Sequence, residues 1–292
     1  MNTETEIIAE YWSSTANTEC KELICTLCPH FCKIADKMNG KCGVRTNKNG
    51  TLIAAGYGKA TSIALDPIEK KPLYKFNSGK KIVSIGGYGC NLNCLFCQNY
   101  HISKEYKNAR FETVTPEVIK LVALESVSDG NVGVAYTYNE PLIGYEFVFN
   151  CSKLIREVGL VNVLVTNGYI NKEPLEELLP FIDAMNIDVK GIREGTYNKV
   201  GGTLKPVMET VEISNKICHV EVTTLVVPNE NEGEVEDIAK WLSEINPEIP
   251  YHLSRFFPRY KYSNHYPTPH ETMHKLHDIA SKHLKNVYLG NI

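Results

Sequence analysis

Cys90, Cys94 and Cys97 fall within GGYGCNLNCLFCQNYHIS, residues 86–103, at C-x3-C-x2-C spacing. Thiolates this close together on a loop can each hold one iron of a cubane cluster. No fourth cysteine stands at nearby spacing, so one iron would keep an open coordination position. That is a defect in an electron carrier but a place for chemistry in an enzyme. Phe96, just before the third cysteine, would shield such a cluster, and Gly86, Gly87 and Gly89 would let the backbone turn tightly. A zinc knuckle is the alternative, because zinc takes four N or S ligands and His101 could supply the fourth.

A second group lies upstream among the ten cysteines of the chain. CTLCPHFC places Cys25, Cys28 and Cys32 at C-x2-C-x3-C, preceded by Cys20, and Cys42 follows in GKCGVR. Cys25, Cys28, Cys32 and Cys42 could close a structural zinc site or hold an auxiliary iron–sulfur cluster. Packing as inert thiols is the other reading, although a small unit that buries little apolar area gains from a metal staple. Cys151 and Cys218 stand alone and read as small buried hydrophobes.

The elements that must position these groups follow an alternating pattern of strand and helix from about residue 81. Strands are predicted at KIVSIG (81–86), NVGVAYT (131–137), VNVLVT (161–166), AMNIDV (184–189), HVEVTTLVV (219–227) and YHLSRF (251–256), with a last short one in NVYLG. Thr115 and Pro116 open the first helix as N-cap and N1. Val235, Ile238, Ala239, Leu242 and Ile245 give a later helix one apolar face, and Met273, Leu276, Ile279 and Ala280 another. The fold class is α/β, a partial (βα)6 barrel open on one side, spanning residues 80–292. Residues 1–79 form a small Cys-rich N-terminal subdomain and its connection, in which Asp66, Glu69, Lys70 and Lys71 read as a solvated face.

Reactive groups of a parallel βα array collect at the carboxyl ends of its strands. After the cysteine loop, the second strand leads into Thr137-Tyr138-Asn139-Glu140-Pro141, and the third into Thr166-Asn167-Gly168. The fourth carries Asn186, Asp188 and Lys190, the fifth Glu221, Thr223 and Thr224, and the sixth His252, Ser254 and Arg255. A purely structural account would use one or two of these, not the set.

The 292 residues carry a net charge of −3 with 22% charged and 43% hydrophobic side chains, which gives no reason to expect nucleic acid or an anionic membrane as partner. No run of about 18 apolar residues is present, so no membrane span is expected. MNTETEIIAEYWSS is acidic and lacks an apolar h-region, so no secretory leader is expected. Cysteines clustered at metal-ligand spacing, with no export signal, indicate a reducing, cytoplasmic location.

CTLCPHFC with GKCGVR, ALDPIEKKPLYKF, GCNLNCLFCQNYHIS and TYNEP together resemble the AmmeMemoRadiSam-system radical S-adenosylmethionine (radical SAM) enzymes, a branch related to the pyruvate formate-lyase activating enzymes. The resemblance covers about residues 20–290. It implies a 4Fe–4S cluster on Cys90, Cys94 and Cys97, with S-adenosyl-L-methionine chelated at the open iron. One electron, from a flavodoxin- or ferredoxin-type donor, would split the sulfonium to methionine and a 5′-deoxyadenosyl radical, which abstracts hydrogen from an unidentified substrate. That substrate is a small molecule or a protein loop. The resemblance also implies cofactor contacts for Glu140, Asn167, Asp188, Lys190 and His252. Two departures stand out. Val165 occupies the position where the activases carry a carboxylate beside a monovalent cation, and with the sequence ending at Ile292 the cysteine-rich tail of longer family members is not expected. An activase that installs a glycyl radical on a partner protein is therefore the alternative enzyme, and a non-catalytic iron–sulfur protein the alternative of another class.

Overall fold

The computed structural model describes residues 6–15 and 21–292; Cys20 lies outside them. Eight strands build the main sheet: β1 Ser62–Pro67, β2 Lys81–Gly86, β3 Asn131–Thr137, β4 Val161–Thr166, β5 Ala184–Asp188, β6 His219–Val226, β7 Tyr251–Arg255 and β8 Val287–Gly290. They lie side by side in sequence order. β2 to β8 are all parallel, and only β1 runs antiparallel, against β2. β1 and β8 are the free edges, so the barrel is open, as expected. Helices cover the outer face of the sheet, which is why β3 is buried at every position but Val132. The Thr115 side chain accepts the Val118 amide as N-cap, with Pro116 at N1, and Val235, Ile238, Ala239 and Leu242 are buried along their helix.

The N-terminal unit is built from small antiparallel pieces, Trp12–Ser14, Leu23–Cys25 and Lys33–Ile34, followed by the hairpin of Arg45–Lys48 and Thr51–Ala54. A buried ion pair joins it to the barrel: Arg45 Nη2 lies 2.9 Å from Glu146 Oε1, which also accepts the Glu10 amide at 2.8 Å.

The end of β1 and the segment after it correct the expectation of a solvated charged face for Asp66 and Lys71, whereas Lys70 is exposed and Glu69 half-buried. Lys71 is 1% exposed and Asp66 9%. The two pair at 2.8 Å, and the Lys71 ammonium lies 4.5 Å from the centre of the Tyr138 ring. The cause is apolar. After a 3-10 turn at Ile68–Lys70, Ile68 and Leu73 pack against Ile82, Ala135, Val163 and Ala184, which draws the intervening lysine in with them. Residues 62–76 thus belong to the barrel, as one edge of its sheet and part of the filling of its lumen.

Candidate active site

The carboxyl ends of the strands surround a cavity of about 320 Å³. Cys90, Cys94 and Cys97 line it from the loop after β2, together with Glu140, Asn167, Asp188 and Lys190 from the ends of β3, β4 and β5. Strand alternation turns Thr137, Val165, Thr223 and Ser254 to the same space. Phe96 is buried and lines it as well, whereas His101 is exposed on the helix Tyr100–Ser103.

The cysteine loop is gripped from two sides. Asn139 Oδ1 accepts the Gly87 amide at 2.9 Å, while its Nδ2 donates to the carbonyls of Tyr88 and Gly89. Asn167 Nδ2 donates to Asn91 Oδ1 at 3.0 Å and lies 3.6 Å from Cys90 Sγ, which also accepts the Leu92 amide at 3.4 Å. Gly89 has φ +81°, and a Cβ there would stand 2.4 Å from the Cys42 carbonyl oxygen, so only glycine fits. Burial pushes the Cys90 thiol up to about 12 and Cys94 up to about 11, with Lys104 and Lys190 partly opposing it. Such thiols keep their protons near neutrality until a positive charge stabilises the thiolate. Among the described residues, no three His, Cys, Asp or Glu side chains already converge on one point, at this loop or at the upstream cysteines.

Glu140 is buried and both its oxygens are engaged. Oε1 accepts from the Leu142 amide at 2.9 Å and the Thr166 hydroxyl at 2.7 Å, and Oε2 accepts the Asn167 amide at 2.7 Å. It thereby ties the end of β3 to the end of β4. Burial raises its pKa to about 7 against those three donors. Lys190 Nζ pairs with Asp188 Oδ2 at 3.0 Å. Burial works against the lysine charge, but Asp188 and Cys94 outweigh it and hold the ammonium above its ordinary value.

His252 stands apart from this group. It lines an adjoining cavity of about 520 Å³ with Asp66, Lys71 and Tyr74, and its Nε2 lies 2.6 Å from Glu221 Oε2. Tyr138, Thr223, Ser254 and Asn291 border both cavities. Glu221 and Asn186, read in sequence as strand-end reactive groups, instead hold the inserted segment. Glu221 accepts the Tyr74 and Lys75 amides at 3.0 and 2.8 Å, and Asn186 donates to the Pro72 carbonyl at 2.8 Å. Burial raises Glu221, yet hydrogen bonds from His219, His252 and the two amides bring it down to about 2.

The Radical SAM superfamily profile matches residues 84–242, from within β2 to the helix Val235–Ile245. This chain belongs to the radical SAM superfamily. An uncharacterized protein of Methanocaldococcus jannaschii is 44% identical over 276 residues, covering 92% of this radical SAM chain and 81% of its own length. The pyruvate formate-lyase-activating enzyme of Clostridium pasteurianum is 27% identical over 176 residues, 56% of this chain and 72% of that one. Among solved structures, SuiB of Streptococcus suis bound to its precursor peptide SuiA superposes with a TM-score of 0.54 at 12% identity, covering 70% of this chain and 47% of that one. QueE of Escherichia coli gives 0.51 at 14% identity, covering 80% and 92%. These two share the fold.

Members of the superfamily are enzymes that use a 4Fe–4S cluster and S-adenosylmethionine for radical reactions. The donor set of the cysteine loop suits such a cluster, with three sulfurs, a sulfur-directed amide and a side-chain amide from Asn167. Sequence reasoning missed Asp66 and Lys71 as parts of the radical SAM barrel, and Tyr138 as their partner. Tyr138 donates to Asp66 and has φ +70°, rare for a tyrosine. The signal available was the apolar spacing of Ile68 and Leu73 on either side of the lysines. No helix among the described residues is long and apolar enough to cross a membrane.

Proposed function

We propose that this chain holds a 4Fe–4S cluster on Cys90, Cys94 and Cys97, cleaves S-adenosylmethionine reductively, and directs the resulting 5′-deoxyadenosyl radical to a C–H bond of its substrate. The observation that carries this reading is the shared cavity: three cysteine thiols, Asn167 and the Asp188–Lys190 pair all open on one space. Held there, the cluster would supply one electron to the sulfonium, with a flavodoxin- or ferredoxin-type protein as its donor; one C–S bond would break, and the resulting carbon radical would take one hydrogen atom from the substrate.

The residues divide the remaining work. Lys190 offers its ammonium to the methionine carboxylate, and Asp188 keeps that ammonium charged and aimed. Glu140 holds the β3 and β4 ends in register, and a cationic amine beside it would draw off the proton that burial favours. The substrate occupies the adjoining cavity, where His252, Lys71, Asp66 and Tyr138 offer charge and hydrogen bonds. A space of about 520 Å³ with such a lining suits a small polar molecule.

The test is anaerobic reconstitution with iron and sulfide, addition of dithionite and S-adenosylmethionine, and quantification of 5′-deoxyadenosine. Product is expected from the native chain; an intact cluster with no product would end this reading. The likeness to the Clostridium pasteurianum activating enzyme supports a second one, a glycyl-radical activase. Against it, Val165 lines the cavity where the activases place a carboxylate. A glycyl-radical EPR doublet on a partner protein after incubation would favour the activase.

A further inference from the structure

The upstream cysteines lie on adjoining turns of the N-terminal unit, Cys25 and Cys42 buried and Cys28 and Cys32 half-buried. Cys25 and Cys32 are opposed across a hairpin, the Cys25 amide donating to the Cys32 carbonyl at 3.0 Å. Opposed residues of this kind are about 5.5 Å apart at Cα. Side chains on such a pair can bring their sulfurs to two corners of a ZnS4 tetrahedron, about 3.8 Å apart at a Zn–S distance of about 2.3 Å. The cysteine sulfurs of a cubane cluster are farther apart, since each binds a different iron. Cys28 sits in the turn between Cys25 and Cys32, its carbonyl accepting the Phe31 amide at 3.2 Å, and the Gly40–Gly43 turn that carries Cys42 lies against the same hairpin, where a Cβ at Gly40 would stand 3.8 Å from Cys32 Sγ. Arg45 is fully buried within electrostatic reach of Cys25 and Cys42, and its Nε has no hydrogen-bond partner. An orphaned buried donor beside thiols is what an anionic tetrathiolate would satisfy.

We propose that Cys25, Cys28, Cys32 and Cys42 bind one zinc ion in a closed tetrathiolate site that braces the cluster-binding loop. The brace runs through His30, whose Nε2 lies 2.6 Å from the Asn91 carbonyl oxygen, and through the Cys42 carbonyl packed on Gly89. Four protein ligands leave no open position, so the role is structural. Zinc binding displaces thiol protons to solvent and involves no electron transfer.

The experiment uses the full chain with Cys90, Cys94 and Cys97 all changed to Ala, so that only the upstream group can respond. The stripped protein is titrated with zinc and, separately, with cobalt(II). One zinc per chain is expected, with tetrahedral, thiolate-to-cobalt absorption in the cobalt form. Cys42→Ser in that background weakens zinc binding by about a hundredfold or more. Zinc also slows hydrogen exchange at the amides of residues 87–92. A folded triple variant, judged by circular dichroism, that binds no zinc overturns the proposal. So does formation of a sulfide-containing cluster that zinc cannot displace, or zinc affinity unchanged by Cys42→Ser. Unchanged exchange at the loop overturns the bracing role. If the triple variant does not fold, zinc content of the native chain and of Cys25→Ser and Cys42→Ser decides: one zinc retained in both variants rejects the site, and its loss from both supports it.

Discussion

The two cysteine groups are neighbours at the mouth of one barrel, yet their surroundings differ in kind. Cys90, Cys94 and Cys97 face a cavity with Asn167, Asp188 and Lys190 across it. Cys25 packs among Leu23, Leu27 and Ile34, and Cys42 against Val44 and Ile143, with one salt-bridged arginine close by. As proposed, three ligands beside an open polar space would leave a corner for a reactant, and four ligands in an apolar wall would leave none. The same side chain at nearly the same spacing is therefore reactive or structural according to ligand count and to what stands opposite.

The sharpest way to break this contrast is Cys94→Ala. It removes one iron ligand of the open group and is expected to abolish 5′-deoxyadenosine formation, while zinc content stays at one per chain. Loss of both would mean that the two groups depend on each other. Next in size is Glu146→Ala, which strands the buried Arg45 charge. Breaking such a pair costs about 3 kcal/mol, read as a shift of the denaturant midpoint. The loss should be smaller in zinc-loaded than in stripped protein, because the anionic tetrathiolate takes over part of the carboxylate's role. Equal losses would detach Arg45 from the upstream site. On the open side, Lys190→Ala should weaken S-adenosylmethionine binding about tenfold, or about 1.4 kcal/mol, measured by anaerobic calorimetry. Unchanged affinity would remove the carboxylate-binding role from Lys190.

Much of this arrangement was legible in the sequence because it rests on local signals. The strands from Lys81–Gly86 to Tyr251–Arg255 stand where β-branched runs predict them, within a residue at their ends. The cysteine spacing and the strand-end rule placed Glu140, Asn167, Asp188 and Lys190 on one cavity with the three thiols. What could not be read depends on partners far along the chain. Lys71 looks solvated in DPIEKKPLYKF, and only its pairing with Asp66 and Tyr138, beneath Ile68 and Leu73, explains its burial. Glu221 looks reactive for the same reason in reverse: its true partners, the Tyr74 and Lys75 amides, are nearly 150 positions away, at separations of 147 and 146. Polar residues inside a barrel serve either a ligand or an inserted loop, and a single sequence does not say which.

The smallest expected effect concerns Asn167, the one side chain among the described residues that hydrogen-bonds a cluster-loop sulfur from another strand. Asn167 Nδ2 stands 3.6 Å from Cys90 Sγ, and its Oδ1 accepts the Tyr169 amide at 2.8 Å, which fixes the amide's orientation. A hydrogen bond to a ligating sulfur stabilises the reduced, more negative cluster and so raises its reduction potential. Asn167→Ala should lower that potential by on the order of 40 mV, the equivalent of about 1 kcal/mol for one electron. An EPR-monitored redox titration reads this directly. Mere loosening of the loop would broaden the signal without moving the midpoint, and an unmoved midpoint would reduce Asn167 to a tie between Asn91 and the end of β4. The upstream group accepts no hydrogen bond from Asn167, so its cobalt spectrum should not change, and a shift confined to the cluster potential would show that this amide tunes only one of the two cysteine groups.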